Sequence, residues 1–351
     1  MLLDRRTFLR AGSASAFSFL AGHRTCVLGE EGHLLDQQRI ANYRLPAPLS
    51  VKVMGTRVTY AVQGPAHAPL LLYFHGWGDD YRVVLPLEYP LIEAGYRLLV
   101  FHRPGYAGTA LSGRAGGRGR NWRTAAGQAE LAAGLLDHLH SGRKWRGSVI
   151  GTSGGAPAAL AFAAANAQRT RAMVLQAGVT QPWSDARYVP AVFRDAYTTA
   201  FQKFGWAGDA VAMAVFGLMV KFRENFFQDE DKIRALAGSR LEEARRDPAF
   251  ASIVSTILRE HSGNARGEIN DARSIFFSRS AYCRWDEVRV PTLVVHDTED
   301  TFVPFVHAEE AAKLLPRGEL RPFRLGGHIL WTGREARAMH RTRVKFLRAA
   351  R

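Results

Sequence analysis

Ser153 stands in Gly151-Thr152-Ser153-Gly154-Gly155, between a short apolar run and an alanine-rich stretch. This is a G-x-S-x-G pattern at the junction of a strand and a helix. A reactive serine needs such a place: a sharp turn holds its hydroxyl out, and small neighbours permit the close approach. The free N–H groups at the start of the following helix favour negative charge beside it. Alone, the pentapeptide fits a plain glycine turn equally well.

A serine hydroxyl is a poor nucleophile at neutral pH and needs a base, which in turn needs an acid to orient it. The chain has 12 histidines. His328, in "RLGGHIL", follows a plausible last strand and precedes a C-terminal helix, so it can reach over a sheet edge. His75, in "HGWG", is better suited to holding structure. His138 and His140 are two apart on a helical stretch and face different ways. His296 lies within or at the end of a strand. His328 is therefore the expected base. For the acid, "VVHDTEDTFVP" offers Asp297, Glu299 and Asp300, all on a loop after a strand. Any of them gives the chain order serine, acid, histidine, which is the order of one serine-hydrolase fold. An oxyanion hole completes the requirement. The loop Gly76-Trp77-Gly78 supplies the Trp77 N–H, to join the N–H of Gly154. Losing one such donor costs about 100- to 1,000-fold in turnover.

The elements that must position these groups are legible as short runs apolar on both faces: "PLLLYF", "YRLLVF", "GSVIG", "AMVLQAG" and "PTLVVH". Each ends in a polar or glycine-rich turn. Such runs suit central strands of a parallel sheet. Helical stretches over 122–140 and 157–167 alternate with them, predicting a mostly parallel sheet flanked by helices on both faces. In such sheets the ligand site lies beyond the carboxyl ends of the strands. "LSVKV" and "RVTYAV" predict a hairpin before the first parallel strand. From 180 to 287 no strand is evident. Helical runs over 211–227 and 231–246 fill this domain-sized insertion. Its aromatics, such as Trp183, Phe193, Trp206 and Phe226, belong mostly to its own core, with a minority facing a pocket.

The 351 residues, 47% of them apolar, suit one large domain or a domain with an insertion. No stretch reaches the roughly 18 uninterrupted apolar residues of a membrane span. The formal charge is +15, but arginine is spread along the chain rather than blocked, which reads as composition and not as a nucleic-acid surface. Cys26 and Cys283 are too few for a disulfide framework, and their pairing stays open. Near the start, Arg5-Arg6-Thr7-Phe8-Leu9-Arg10 precedes a mild apolar stretch over 11–22. Residues 1–25 read as a twin-arginine export signal, implying a protein exported already folded to the periplasm or beyond. No motif implies a metal or organic cofactor. The expected partner is a small-molecule substrate.

Together these motifs resemble the α/β-hydrolase fold family from about residue 48 to the end. "HGWG" resembles its oxyanion loop, "FHRPGYAGT" its Asp-Arg-Pro-Gly-Tyr-Gly-x-Ser segment, "GTSGG" its nucleophile elbow and "GGH" its base loop. "PTLVVHDTEDTFVP" resembles the acid loop, in which the acid stands four residues before a proline. That position is Asp300, before Pro304. Departures are His102 for the usual Asp, Ala107 for Gly, Thr109 for Ser and Asp297 for Gly. The resemblance implies an α/β-hydrolase core over 48–179 and 288–351, with a helical cap over 180–287 between strands 6 and 7. It implies a serine hydrolase, carboxylesterase-like, acting through an acyl-enzyme, and the aromatic residues of the insertion suggest a small, partly apolar ester or lactone as substrate. Ser153, His328 and Asp300 would form the catalytic triad, and Trp77 and Gly154 the oxyanion hole. The family's other serine members, which cleave carbon–carbon bonds or remove N-terminal residues, and its non-catalytic ligand binders are the alternatives.

Overall fold

The hairpin predicted near residue 50 forms. β1 (Leu49–Val53) pairs antiparallel with β2 (Thr56–Gln63), turning at Met54 and Gly55, both at positive φ. The computed structural model describes residues 39–115, 118–140, 145–182, 236–261, 264–271, 273, 285–333 and 335–350. The expected export signal, the helical run 211–227, the aromatics Trp183 to Phe226, Cys26 and Cys283 lie outside them.

The five apolar runs become strands: β3 (Leu70–Phe74), β4 (Arg97–Phe101), β5 (Gly147–Thr152), β6 (Thr170–Gln176) and β7 (Thr292–Asp297), followed by β8 (Gly318–Phe323). They assemble into one sheet of order β1-β2-β4-β3-β5-β6-β7-β8. β2 pairs antiparallel with β4, and every later pairing is parallel. Register aligns the carboxyl ends. Phe74 sits opposite Gly151, Thr152 opposite Gln176, and Gln176 opposite Val295. The loops after β3, β5, β6 and β7 therefore emerge side by side.

Helices cover both faces. In chain order they are α1 (Tyr81–Leu87), α2 (Tyr89–Glu93), α3 (Ala125–Leu139) and α4 (Ala156–Ala165). After β6 come α5 (Leu241–Arg246), α6 (Pro248–His261) and α7 (Ala265–Asp271). α8 (Val306–Leu314) and α9 (Ala336–Ala349) follow β7 and β8. Strand side chains alternate between two cores, as a period of two requires. Leu71 and Tyr73 join Leu85, Leu91, Met339 and Leu347 on one face; Leu72 and Phe74 join Leu131, Leu135, Phe162 and Ala311 on the other. Between β6 and β7 the described residues are helical or irregular, with no strand. No helix among the described residues is long and apolar enough to cross a membrane. A short hairpin, Ser112–Ala115 with Arg118–Asn121, went unpredicted because its glycines and arginines carry no strand signal.

Candidate active site

β5 ends at Thr152, and Ser153 opens a single 3-10 turn that runs into α4. Ser153 adopts φ 48°, a left-handed conformation that is uncommon for a residue with a side chain. The turn is held by the Val179 N–H, which donates to the Ser153 carbonyl at 3.0 Å. Gly155 must be glycine: a Cβ there would lie 2.3 Å from the Phe74 carbonyl oxygen and 2.4 Å from that of His75. This close approach seats the helix start against the loop after β3.

The strand ends bring the three predicted groups together. The Ser153 hydroxyl donates to His328 Nε2 at 3.1 Å, and His328 Nδ1–H donates to Asp300 Oδ2 at 2.7 Å. The carboxylate acceptor fixes this tautomer. Asp300 Oδ1 accepts from the Phe302 and Val303 N–H groups, each at 2.9 Å. Burial alone would raise the Asp300 carboxyl. The charges and hydrogen bonds of His328 and His296 outweigh that and hold it below its usual range. It is an ionised, immobilised acceptor, as orienting a histidine requires.

Asp297 does different work. It is the last residue of β7, and its oxygens accept from the Glu299 and Gly327 N–H groups, tying the acid loop to the His328 loop. Burial pushes its carboxyl up. Glu299 accepts from the Ser239 hydroxyl at 3.1 Å. Of the three acids, only Asp300 hydrogen-bonds to His328 among the described contacts. Sequence reasoning missed His296, whose Nε2 lies 2.7 Å from the Val303 carbonyl and 3.4 Å from Asp300 Oδ2. It shares the strand-end position of Asp297, where spacing alone shows no direction.

The loop carrying Trp77 is fixed by a buried set of charges. Arg103 Nη1 and Nη2 donate to the two oxygens of Asp271 on α7, at 2.8 and 2.6 Å. Arg103 also donates to the carbonyls of His75 and Gly76, both at 2.9 Å. Tyr106 donates to Asp271 and stacks its ring under the guanidinium. His75 has the structural place expected of it: Nε2 accepts from the Arg103 N–H, and Nδ1–H donates to the Gly76 carbonyl. Asn264, just before α7, donates to the Gly78 carbonyl and accepts from the Ala107 N–H, both at 3.0 Å. Trp77 itself is buried and donates from its indole to the Glu268 carbonyl. Gly76 packs against the elbow, since a Cβ there would meet Ser153 Cβ at 3.3 Å. Trp77 lines the same pocket as Ser153, and Gly154 follows Ser153 in the 3-10 turn.

Behind the elbow lies a second buried polar network. Tyr73 and Gln176 hydrogen-bond to Thr152 at 2.5 and 2.8 Å, and Gln176 reaches Glu88. Arg343 of α9 pairs with Glu88 at 2.9 Å and donates to Gln176 at 2.6 Å; the Trp331 indole also donates to Glu88. A charge pair this deep is tolerable because most of its polar atoms are paired, with Glu88 Oε1 shared by Tyr73, Gln176, Trp331 and Arg343. The network anchors the residue before Ser153 to β3, β6 and α9.

Around Ser153 and His328 the pocket is mostly apolar. Tyr73, Val83, Val84, Leu87, Leu236, Ile257, Ile329 and Trp331 line it, with Trp77 and Asp79 at one side. Phe302 packs on the His328 ring, centroids 5.0 Å apart.

The strand order, the elbow and the serine–acid–histidine order define an alpha/beta hydrolase. The family model described as alpha/beta hydrolase fold matches residues 69–331, and the chain belongs to this family. Among its relatives is an uncharacterised hydrolase, YcgS, of Bacillus subtilis strain 168, 25% identical over 293 residues, covering 80% of this chain and 92% of that protein. Another is the 2-hydroxy-6-oxononadienedioate/2-hydroxy-6-oxononatrienedioate hydrolase of Cupriavidus pinatubonensis, 26% identical over 283 residues, 78% of this chain and 82% of that one. A solved alpha/beta hydrolase fold protein from Nakamurella multipartita superposes with a TM-score of 0.60 at 25% identity, covering 87% of this chain and all of that one.

Proposed function

We propose that this hydrolase is a serine hydrolase that cleaves a small, partly apolar ester or lactone through an acyl-enzyme. The observation that carries the reading is the unbroken run from the Ser153 hydroxyl through His328 to Asp300, at 3.1 and 2.7 Å. Ser153 Oγ attacks the carbonyl while its proton passes to His328 Nε2. The N–H groups of Trp77 and Gly154 hold the oxyanion. His328 then protonates the departing alkoxide, and a water, deprotonated by the same nitrogen, releases the acid. The segment 180–287 serves as the cap that selects substrate. Residues 1–25 direct export, a reading that cell fractionation tests: protein found only unprocessed in the cytoplasm would reject it.

A second reading, cleavage of a carbon–carbon bond in a vinylogous diketone, is favoured by the Cupriavidus relative, whose name gives 2-hydroxy-6-oxononadienedioate as its substrate. Turnover of parallel ester, lactone and vinylogous diketone panels separates the two. Ester or lactone turnover that drops by about a million-fold in Ser153→Ala supports the first. Turnover confined to the diketones replaces it with the second.

A further inference from the structure

Beside the catalytic pocket lies an outer groove, and three side chains line both. Val83 and Leu87, one turn apart on α1, and Ile257 on α6 face Ser153 and His328 on one side. They also face a groove bounded by Ile40, Tyr43, Leu45, Pro86 and Ile253. All three are at least nine-tenths buried, although the groove behind them reaches the surface, where Leu45 is 41% exposed. A partition one side chain thick thus stands between the apolar catalytic pocket and the outer groove. The groove is lined by the apolar Ile40, Leu45, Pro86 and Ile253, by Tyr43, and by the polar side chains Arg82, Ser252 and Thr256 of α1 and α6. The three shared side chains are all aliphatic and offer no hydrogen bond, so the guest that complements this wall is a hydrocarbon segment.

We infer that the substrate carries an unbranched alkyl arm beside its scissile carbonyl, and that Val83, Leu87 and Ile257 set the length accepted by closing the catalytic pocket off from the groove. This rests on the ester-hydrolase reading and narrows its substrate class. An apolar pocket discriminates one methylene by about tenfold or more, so the partition produces a steep limit. Opening it joins the two spaces and lets a longer arm pass between α1 and α6.

The test measures kcat/KM for two series, p-nitrophenyl alkanoates from acetate to decanoate and alkyl acetates of matching lengths, so that the arm is placed on the acyl or the alcohol side. The wild-type chain is compared with Leu87→Ala, Ile257→Ala and Ile257→Ala/Ser252→Trp, the last refilling the groove beyond the opened wall. In one series the octyl-to-butyl ratio rises about tenfold or more in Ile257→Ala and returns toward wild type in the double variant. An unmoved ratio in both single variants, with folded protein that still reacts with a fluorophosphonate at Ser153, overturns the inference and leaves the hydrolase reading standing. Absence of both ester turnover and fluorophosphonate labelling in wild type defeats the hydrolase reading and this inference with it. Should Ile257→Ala not fold, the milder Leu87→Val reads the same ratio, with the same two outcomes.

Discussion

Arg103 and Asp271 meet through two parallel hydrogen bonds, and neither side chain has any solvent exposure. The pair joins the turn after β4 to α7, and through the His75 and Gly76 carbonyls it fixes the loop that carries Trp77. Removing one partner strands the other charge out of water. Asp271→Ala is expected to cost about 3–5 kcal/mol in urea unfolding. Displacement of the Trp77 loop is expected to lower kcat by up to about 100-fold in the fraction still folded. Asp271→Asn, which keeps one acceptor for the guanidinium, falls between. Unchanged stability in Asp271→Ala would show that the pair does not brace the loop.

The two buried aspartates of the acid loop have separable roles. Asp300→Asn removes the acceptor that fixes the His328 tautomer, and a loss of about 10⁴ in kcat is expected. Asp297→Asn disturbs contacts to backbone N–H groups, those of Glu299, Gly327 and Leu325, and a much smaller loss is expected. Steady-state kinetics on one ester decides it; a larger loss at Asp297 would reverse the assignment.

That distinction marks where sequence reading stopped. His328 was legible from its place in "RLGGHIL" before the C-terminal helix. Ser153 and Asp300 were legible because each follows a strand whose apolar run is readable, and strand ends in a parallel sheet converge. The hairpin and five of the six later strands were legible for the same reason. The choice between Asp297 and Asp300 does not follow from strand periodicity, since both lie where the strand gives out; the resemblance to the family's acid loop, four residues before Pro304, supplied it. The Arg103–Asp271 and Glu88–Arg343 pairs were invisible: their members are 168 and 255 residues apart, and isolated charges in a sequence look like surface. His296 was noticed only as a strand residue, although it stands beside the acid.

Acid should destabilise the fold through its buried histidines. Burial holds His102 and His307 each down to about 4 from an ordinary 6.5, and it pushes His75 and His340 well below the ordinary value too. In the unfolded chain these rings take up protons below about pH 6.5, while the folded chain binds none at His102 or His307 until about pH 4. The unfolded state therefore binds more protons across that window, and stability falls as pH drops through it, by up to about 3 kcal/mol for each of His102 and His307. Above about pH 6.5 this contribution is fully present. His102→Phe keeps the stack on Tyr81, whose ring lies 5.2 Å from that of His102. The variant should lose less stability than wild type between about pH 7 and about pH 4.5 in urea titrations. Identical pH dependence would place the acid sensitivity elsewhere.

The central claim is that Ser153 is a nucleophile activated by His328. Intact-protein mass spectrometry after exposure to a fluorophosphonate tests it most directly. One adduct per chain is expected on the wild type, mapping to Ser153, with none on Ser153→Ala and strongly slowed labelling on His328→Ala. A wild type that takes no adduct, or a Ser153→Ala variant that labels as fast as wild type, would contradict it.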